Sequence, residues 1–461
     1  MTTLYLPELL YCAGGRFRSG VGLLVDEDGK ILKAAERSEM PGCRVVDLPG
    51  KALLPAFVNT HSHSFQRLIR GKAESRTTAG KNFWSWRETM YHAAANLDPD
   101  ELYDVARMTF LEMALAGTAT VGEFHYLHRA PDGRPYEDPN LLSRKIIEAA
   151  RSVGLRIVLL RTAYQRSGYE VAVNKGQTRF FEPTSEFLTN MTSLLREFPA
   201  CSDLIRFGVA PHSIRAVPLD ELGKIVEWSR NRKLPVQMHV AEQREEVSAC
   251  EREYGLSPVA LFEHEKLLGP DFTAVHGIHI SFEEMDQFAA SAGTICSCPT
   301  TERNLGDGVV AADQLALRGI RIALGSDSQA QIDPLEDARE LDYHLRLARE
   351  QRVILDQIGK QGLAARLFEC ATSSGAKSLM IPGGDFEPGN PADFFTVDLS
   401  DPRIAGNSPD DLLSLIVFSL DRSAICDVAV RGEFIVRDRE HPNRREIVSR
   451  YEKVYAKVWP Q

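Results

Sequence analysis

The sequence has no excess of positive charge: 54 Lys and Arg stand against 64 Asp and Glu, a formal net charge of −10. Such a chain exerts no long-range attraction on nucleic acid or an anionic membrane, so neither is an expected partner and any anion must be caught by locally placed cations. Long apolar runs are also missing, and no window approaches the roughly 18 consecutive apolar residues of a membrane span. Cysteine is sparse, 8 in 461 residues, too few for a disulfide scaffold. Cys296 and Cys298, the one close pair, lack the two-residue gap of a redox or zinc-ribbon site and read as core or loop thiols. Met1 to Leu10 holds no basic stretch ahead of an apolar one, so a cytoplasmic location is the expectation. What is present is 43% hydrophobic and 26% charged residues at a mean hydropathy of −0.22, enough to fill a large core.

The two ends of the chain read as short strands. Near the start, Gly20 to Val25, a turn at Asp26 to Gly29, and Ile31 onward carry the pattern; near the end, Phe394 to Val397, Val428 to Val430 and Phe434 to Val436 do, with a hairpin-like turn at Arg431 to Glu433. Pro388-Gly-Asn-Pro391 reads as a linker. Between the ends lie eight short apolar runs: Ala52 to Val58, Thr118 to Gly122, Arg156 to Leu160, Ile205 to Ala210, Pro235 to Met238, Phe272 to Val275, Gly293 to Cys296 and Ile320 to Leu324. Amphipathic segments separate them, one opening on Asp98 and Pro99 and stopping at Gly117, others starting near Leu219, Ser257 and Ser281. Continuous apolar runs alternating with helices predict an α/β fold, a (β/α)8 TIM-like barrel, with a doubly wound sheet as the alternative. The expected organisation is a barrel over residues 52–385 and a small composite β-sandwich domain assembled from both termini, residues 1–51 and 386–461.

In such a barrel the chemistry sits at the carboxyl ends of the strands. Those ends carry His61-Ser-His63, Glu123-Phe-His125-Tyr126, Pro211-His212-Ser-Ile-Arg215, His239-Val-Ala-Glu242, His276 and Gly325-Ser-Asp327, so six of the twelve histidines fall there. One His-x-His pair is expected about 0.3 times by chance in a chain of this composition and proves little alone. Alternate strand residues project to one side, however, so His61 and His63 can grip one ion while His239 and Asp327 reach it from other strands. Three imidazoles and a carboxylate suit Zn, Fe or Mn in the divalent state.

These motifs, with Leu54-Pro-Ala-Phe-Val-Asn-Thr ahead of His61, resemble the metal motifs of the amidohydrolase superfamily in its mononuclear deaminase branch, and they occur in that family's order across nearly the whole chain. The resemblance implies one divalent metal ion, zinc first and iron second, held by His61, His63, His239 and Asp327, with Glu242, His276 and Asp327 as catalytic groups. Binuclear members use a modified lysine after the fourth strand, where this chain has His212. Within the superfamily, Gln66, Phe83-Trp-Ser-Trp-Arg87-Glu-Thr-Met-Tyr91, Gly122-Glu-Phe-His-Tyr126 and Pro211-His212-Ser-Ile-Arg215 resemble the formimidoylglutamate deiminases of histidine degradation. That similarity implies hydrolysis of N-formimidoyl-L-glutamate to N-formyl-L-glutamate and ammonia by a metal-activated water. Gln66, Arg87, Tyr126, His212 and Arg215 would bind the glutamate part, and a homodimer is implied. The residue chemistry agrees, because an acidic protein handling a dicarboxylate needs arginine forks. A heterocycle aminohydrolase or chlorohydrolase shares the metal core and is the alternative; a non-catalytic binding module would have lost ligands. Arg303 rivals Arg87 and Arg215 as a carboxylate binder, and His125 and His128 are read as lying beside the pocket.

Overall fold

The N-terminal stretch forms β1 (Thr3–Cys12), β2 (Arg16–Ser19), β3 (Val21–Val25), β4 (Ile31–Glu36) and β5 (Arg44–Pro55). The middle forms β6 (Phe57–Ser62), β7 (Thr118–His125), β8 (Arg156–Ala163), β9 (Ile205–Pro211), β10 (Val236–Val240), β11 (Phe272–His276), β12 (Thr294–Ser297) and β13 (Arg321–Leu324). The C-terminal stretch adds β14 (Phe394–Asp398), β15 (Ile425–Val430) and β16 (Glu433–Val436). The coordinates are a computed structural model and describe residues 1–39, 42–74, 83–169, 171, 174–198, 204–356 and 362–460; Cys201 and residues 75–82 lie outside the described residues.

Strands β6 to β13 pair in chain order, all parallel. A bridge between Ser62 and Asp327 brings the last strand back to the first, so the sheet is a nearly closed barrel. Seven of the eight expected apolar runs match these strands, with starts within one residue where they differ. The first is divided: Ala52 to Pro55 ends β5 in the other sheet, and the barrel strand proper starts at Phe57. Most of the strands are buried along their whole length, as continuous apolar runs covered on both faces require. Between β6 and β7 the helix Pro99–Leu115 starts on a capping box of Asp98 and Glu101. It stops before Gly117, whose φ of +86° places it in the left-handed region and whose close approach to the Phe57 ring leaves little room for a side chain.

The terminal strands form one mixed sheet in the order β16-β15-β14-β5-β1-β3-β4, with β2 on β1. Both termini build it. The stretch Pro388–Pro391, read from sequence as a linker, is pinned: Ile31 N–H donates to Asn390 O and Gly389 N–H to Ile31 O, each at 2.8 Å. That tie folds the sheet over a core that includes Leu23, Leu53 and Phe394. The β15–β16 turn, Arg431 and Gly432, has φ of +52° and +79°, the two left-handed residues of a tight hairpin. Arg156 at the start of β8 meets Asp393 at 2.7 Å, both buried, and joins sheet to barrel. Two C-terminal helices, unsignalled by the strand pattern, lie on the barrel: Leu412–Ser419 against Pro334–Arg349, and Arg444–Val458 against Pro99–Leu115. Among the described residues, no helix is long and apolar enough to cross a membrane, and Cys12, Cys250, Cys296, Cys298, Cys370 and Cys426 are free thiols.

Glu112, on the outer face of the helix Pro99–Leu115, accepts from Arg67 (2.9 Å), Arg70 (2.9 Å) and Arg422, and so ties the turn after β6 to the C-terminal segment. Burial alone would raise its pKa, but the Arg70 and Arg67 guanidinium charges hold it at about 2 against an ordinary 4.5. A carboxyl depressed on folding stabilises the native state above its unfolded pKa, and that contribution is lost as pH falls from about 4.5 to about 2. Glu112→Gln should therefore cost about 2 kcal/mol at pH 7, discounting for the half-exposed Arg422. In urea titrations the gap between variant and wild type should close in that acid range; a gap that persists at the acid end would refute the account.

Candidate active site

The barrel seam and the candidate metal centre are the same place. His61 and His63 end and follow β6, His239 lies in β10, and Asp327 follows β13. Asp327 N–H donates to His61 O and His63 N–H to Asp327 O, both at 3.0 Å. Gly325 lets the strands approach: a Cβ there would lie 2.8 Å from His61 Cβ. Asn59 fastens the seam, donating to Ser326 Oγ at 2.7 Å and accepting from Ser326 N–H at 3.0 Å. One donor atom from each of His61, His63, His239 and Asp327 lies within 4.8 Å of the others, all four residues buried.

The outer ring nitrogens decide what these atoms are. His63 Nδ1 donates to Phe124 O at 2.9 Å and His239 Nδ1 to His212 O at 3.0 Å. His61 Nδ1 meets Gln237 Oε1 at 2.7 Å, and the Gln237 amide is oriented by donating to Thr60 O at 3.0 Å. Each Nδ1 thus carries the proton and each Nε2 a bare lone pair. Burial depresses His63 to about 3 and His239 well below its ordinary value, so neither takes a second proton at neutral pH. Nε2 atoms 3.1 Å apart on His61 and His63, and 3.4 Å apart on His63 and His239, with Asp327 Oδ1 3.3 Å from the first two, cannot bond one another. A cation satisfies all four, so the donor set fits a divalent metal.

Two carboxylates with opposed tendencies flank the centre. Burial raises Asp327, but contact with His61 and the charge of His276 hold it below the ordinary carboxylate range. Burial raises Glu242 above it. His276, with Glu302 Oε1 3.3 Å from Nδ1, Asp327 Oδ2 3.7 Å and Glu242 Oε1 3.9 Å from Nε2, is raised well above its ordinary value, the anions outweighing burial. Ala241, His276 and Asp327 sit at φ of +51°, +70° and +47°; left-handed non-glycine residues at three strand ends mark backbone held for the position of its side chains. His276, Cys298 and Asp327 form a second close donor set. Burial and the Cys296 thiol keep Cys298 protonated, a poor ligand.

A cleft of about 530 Å³ opens above the centre. All the sequence-predicted site residues line it except His61, which is fully buried beneath. Gln66 Nε2 donates to Tyr126 Oη at 2.6 Å. His212 is kept neutral by burial and by the Arg215 charge. Arg87 reaches the cleft from the helix Phe83–Ala95 and lies 5.5 Å over the Tyr91 ring. Arg215 lines the cleft, and among the described residues its guanidinium makes no hydrogen bond or ion pair. Tyr91 and Tyr164 both feel the Arg87 and Arg215 charges, and both arginines line the same cleft. Arg303 is elsewhere: it pairs with Glu340 at 2.9 Å and Glu336 at 3.5 Å. His125 and His128 are buried together beside Arg161, off the cleft. Sequence reading missed Tyr164, Phe180 and Leu305 in the lining, Gln237 and Glu302 behind the histidines, and Gln177, whose amide donates to Tyr91 and Tyr164 at 2.9 and 2.7 Å. Only their position after predicted strands could have flagged Tyr164 and Leu305.

Three imidazoles and one carboxylate at the carboxyl ends of a parallel barrel, under a cleft with a raised glutamate, define a metal-site hydrolase. Residues 52–435 match the amidohydrolase family. The chain is 32% identical to formimidoylglutamate deiminase of Pseudomonas aeruginosa over 89% of this chain and 90% of that one. It is 27% identical to a 5-methylthioadenosine/S-adenosylhomocysteine deaminase of Pyrococcus abyssi over 90% and 89%. Among solved structures it superimposes on an amidohydrolase from Brucella melitensis with TM-score 0.89, 30% identity and 99% of each chain covered. It also shares its fold with a zinc-bound adenosine deaminase from Xanthomonas campestris, with TM-score 0.82, 20% identity and coverage of 99% and 98%. The chain belongs to the amidohydrolase family.

Stripping the protein with a chelator and titrating zinc back should raise its melting temperature, with up to about 4 kcal/mol gained at a thousandfold excess over Kd. His63→Ala and His239→Ala should lose both the bound metal, read by elemental analysis, and the thermal response. Unchanged metal content in both variants would remove this site from consideration.

Proposed function

We propose that the chain hydrolyses N-formimidoyl-L-glutamate to N-formyl-L-glutamate and ammonia, using one divalent ion, zinc or iron, held by His61, His63, His239 and Asp327. The observation that carries this reading is Arg215: a half-buried guanidinium lining the cleft with no anionic partner in contact, in a cleft that Arg87 also lines, in a protein of net charge −10. Arg215 and Arg87 together match the two carboxylates of the glutamate moiety. The similarity to the Pseudomonas aeruginosa enzyme supports the same substrate. In this reading the protein works in the cytoplasm as a homodimer, in histidine degradation.

A divalent ion in this donor set would lower the pKa of water toward about 7 and so supply hydroxide at neutral pH. The residues then divide the remaining work. Gln66, Arg87, Tyr126, His212 and Arg215 bind and orient the glutamate end, setting the formimidoyl carbon over the centre. As water adds to that carbon, Asp327, the stronger acid of the two and therefore ionised, receives its proton. Glu242, whose pKa burial raises, protonates the imine nitrogen. His276 donates a hydrogen bond to the oxygen that attacks that carbon. On collapse the hydroxyl proton returns to Glu242, the Asp327 proton passes to the departing nitrogen, and the C–N bond breaks to release ammonia.

The aromatic wall of Tyr91, Tyr126, Tyr164 and Phe180 favours a second reading, a deaminase or chlorohydrolase of a planar heterocycle that would stack there. The two separate in one assay. Metal-loaded protein should release ammonia from N-formimidoyl-L-glutamate. Arg215→Met should raise KM about 10- to 100-fold, the value of a charge-assisted hydrogen bond, with kcat little changed. Glu242→Gln should lower kcat by about 10² to 10⁴. Faster turnover of methylthioadenosine, guanine or a triazine, with Arg215→Met indifferent, would reverse the assignment.

A further inference from the structure

On the flank of the barrel, away from the metal cleft, a second cleft of about 1100 Å³ is lined by five arginines and one carboxylate, on a chain whose net charge is −10. Arg67 and Arg70 belong to the turn after β6, Arg422 and Arg439 flank the β15–β16 hairpin, and Arg444 opens the last helix. Glu112 is the single acid in the lining, and three guanidinium groups share it. One negative charge cannot balance three positive ones in a half-buried place, where each cation also raises the cost of its neighbours. The strain shows on Arg70: burial and the Arg67 and Arg422 charges depress it while Glu112 supports it, and its Nη2 is buried without a hydrogen-bond partner. The rim arginines have only exposed acids beside them, Asp398 3.8 Å from Arg439 and Glu440 3.1 Å from Arg444, pairs worth little in water. The floor is apolar, formed by Met108, Leu111, Leu115 and Val448.

We propose that this cleft binds a small organic anion, a phosphate-type head of at least two negative charges on an apolar or aromatic body, at a site separate from the metal centre. The head sits among Arg422, Arg439, Arg444 and the free edge of Arg70, which neutralises the excess charge; the body covers the floor, where Met108, Leu115 and Val448 are partly exposed. The inference does not depend on which substrate the metal cleft takes.

Adenosine monophosphate and inorganic phosphate serve as probes, titrated calorimetrically into the full-length, metal-loaded protein. Arg70 is a poor position to vary, because its Nε also donates to Gln329 O at 2.7 Å, and Gln329 in turn donates to Asp327 O at 2.9 Å. The rim pair is better: Arg439→Ser with Arg444→Ser should leave ammonia release unchanged and weaken adenosine monophosphate binding by about 100-fold, two charge-assisted hydrogen bonds' worth. In the wild type this nucleotide should bind more tightly than phosphate, bind more weakly as salt rises, and raise the melting temperature, a rise the double variant lacks. Equal affinity in wild type and double variant would place the nucleotide in the metal cleft and overturn the site. Absence of binding at millimolar nucleotide would overturn it as well. Self-association that the double variant abolishes, with no heat from either probe, would reassign the arginines to the acidic surface of a second copy.

Discussion

Everything in the catalytic end of this molecule hangs on the seam where β13 returns to β6. Asp327 exchanges backbone hydrogen bonds with His61 and His63 across it, and the same three residues then turn their side chains toward one point. Closing the barrel and assembling the donor set are therefore one event. The proton on each Nδ1 is fixed by a carbonyl or amide oxygen behind it, so three lone pairs face one another with no proton to separate them. The arrangement is costly as bare protein and favourable around a cation, and folding energy from the closed barrel holds it in place. Left-handed backbone at Ala241, His276 and Asp327 belongs to the same bargain: local strain is tolerated where a rigid sheet over-determines it.

Charge is organised on two scales. At long range the protein repels anions; within two of its clefts it gathers arginines, Arg87 and Arg215 in one and five in the other. In the metal cleft, burial pushes Glu242 up while imidazole contacts hold Asp327 down, so two carboxylates a few ångströms from one histidine are shifted in opposite directions. On the flank, Glu112 is shared by three guanidinium groups. The first imbalance sits beside a deep donor set and has a chemical reading; the second lies over an apolar floor and has a binding one.

Much of this was legible in the residues because barrel strands are short, apolar and punctuated by the polar groups that follow them. All eight strands and the helix starts at Asp98, Leu219, Ser257 and Ser281 follow from period and capping chemistry. Legibility failed where one run served two sheets. Ala52 to Val58 is uniformly apolar, yet Pro55 ends one sheet and Phe57 begins the other, a break that only hydrogen-bond partners reveal. It failed again at the last helix, Arg444–Val458, whose buried stripe of Ile447, Tyr451, Val454 and Val458 is read against a neighbouring helix more than 300 residues earlier. Arg303 shows the converse: it lies near the barrel mouth in sequence and is taken up by Glu336 and Glu340 on the surface.

The sequence by itself determined the barrel, the family and the ligand types, because these rest on local periodicity and on motifs whose spacing is set by strand geometry. The tertiary structure alone decided which nitrogen of each histidine faces the centre, that Arg87 and Arg215 line one cleft, and that five arginines line another in which three of them share one glutamate. Each of those depends on contacts between residues far apart in the chain, and a through-space distance leaves no periodic trace in a sequence.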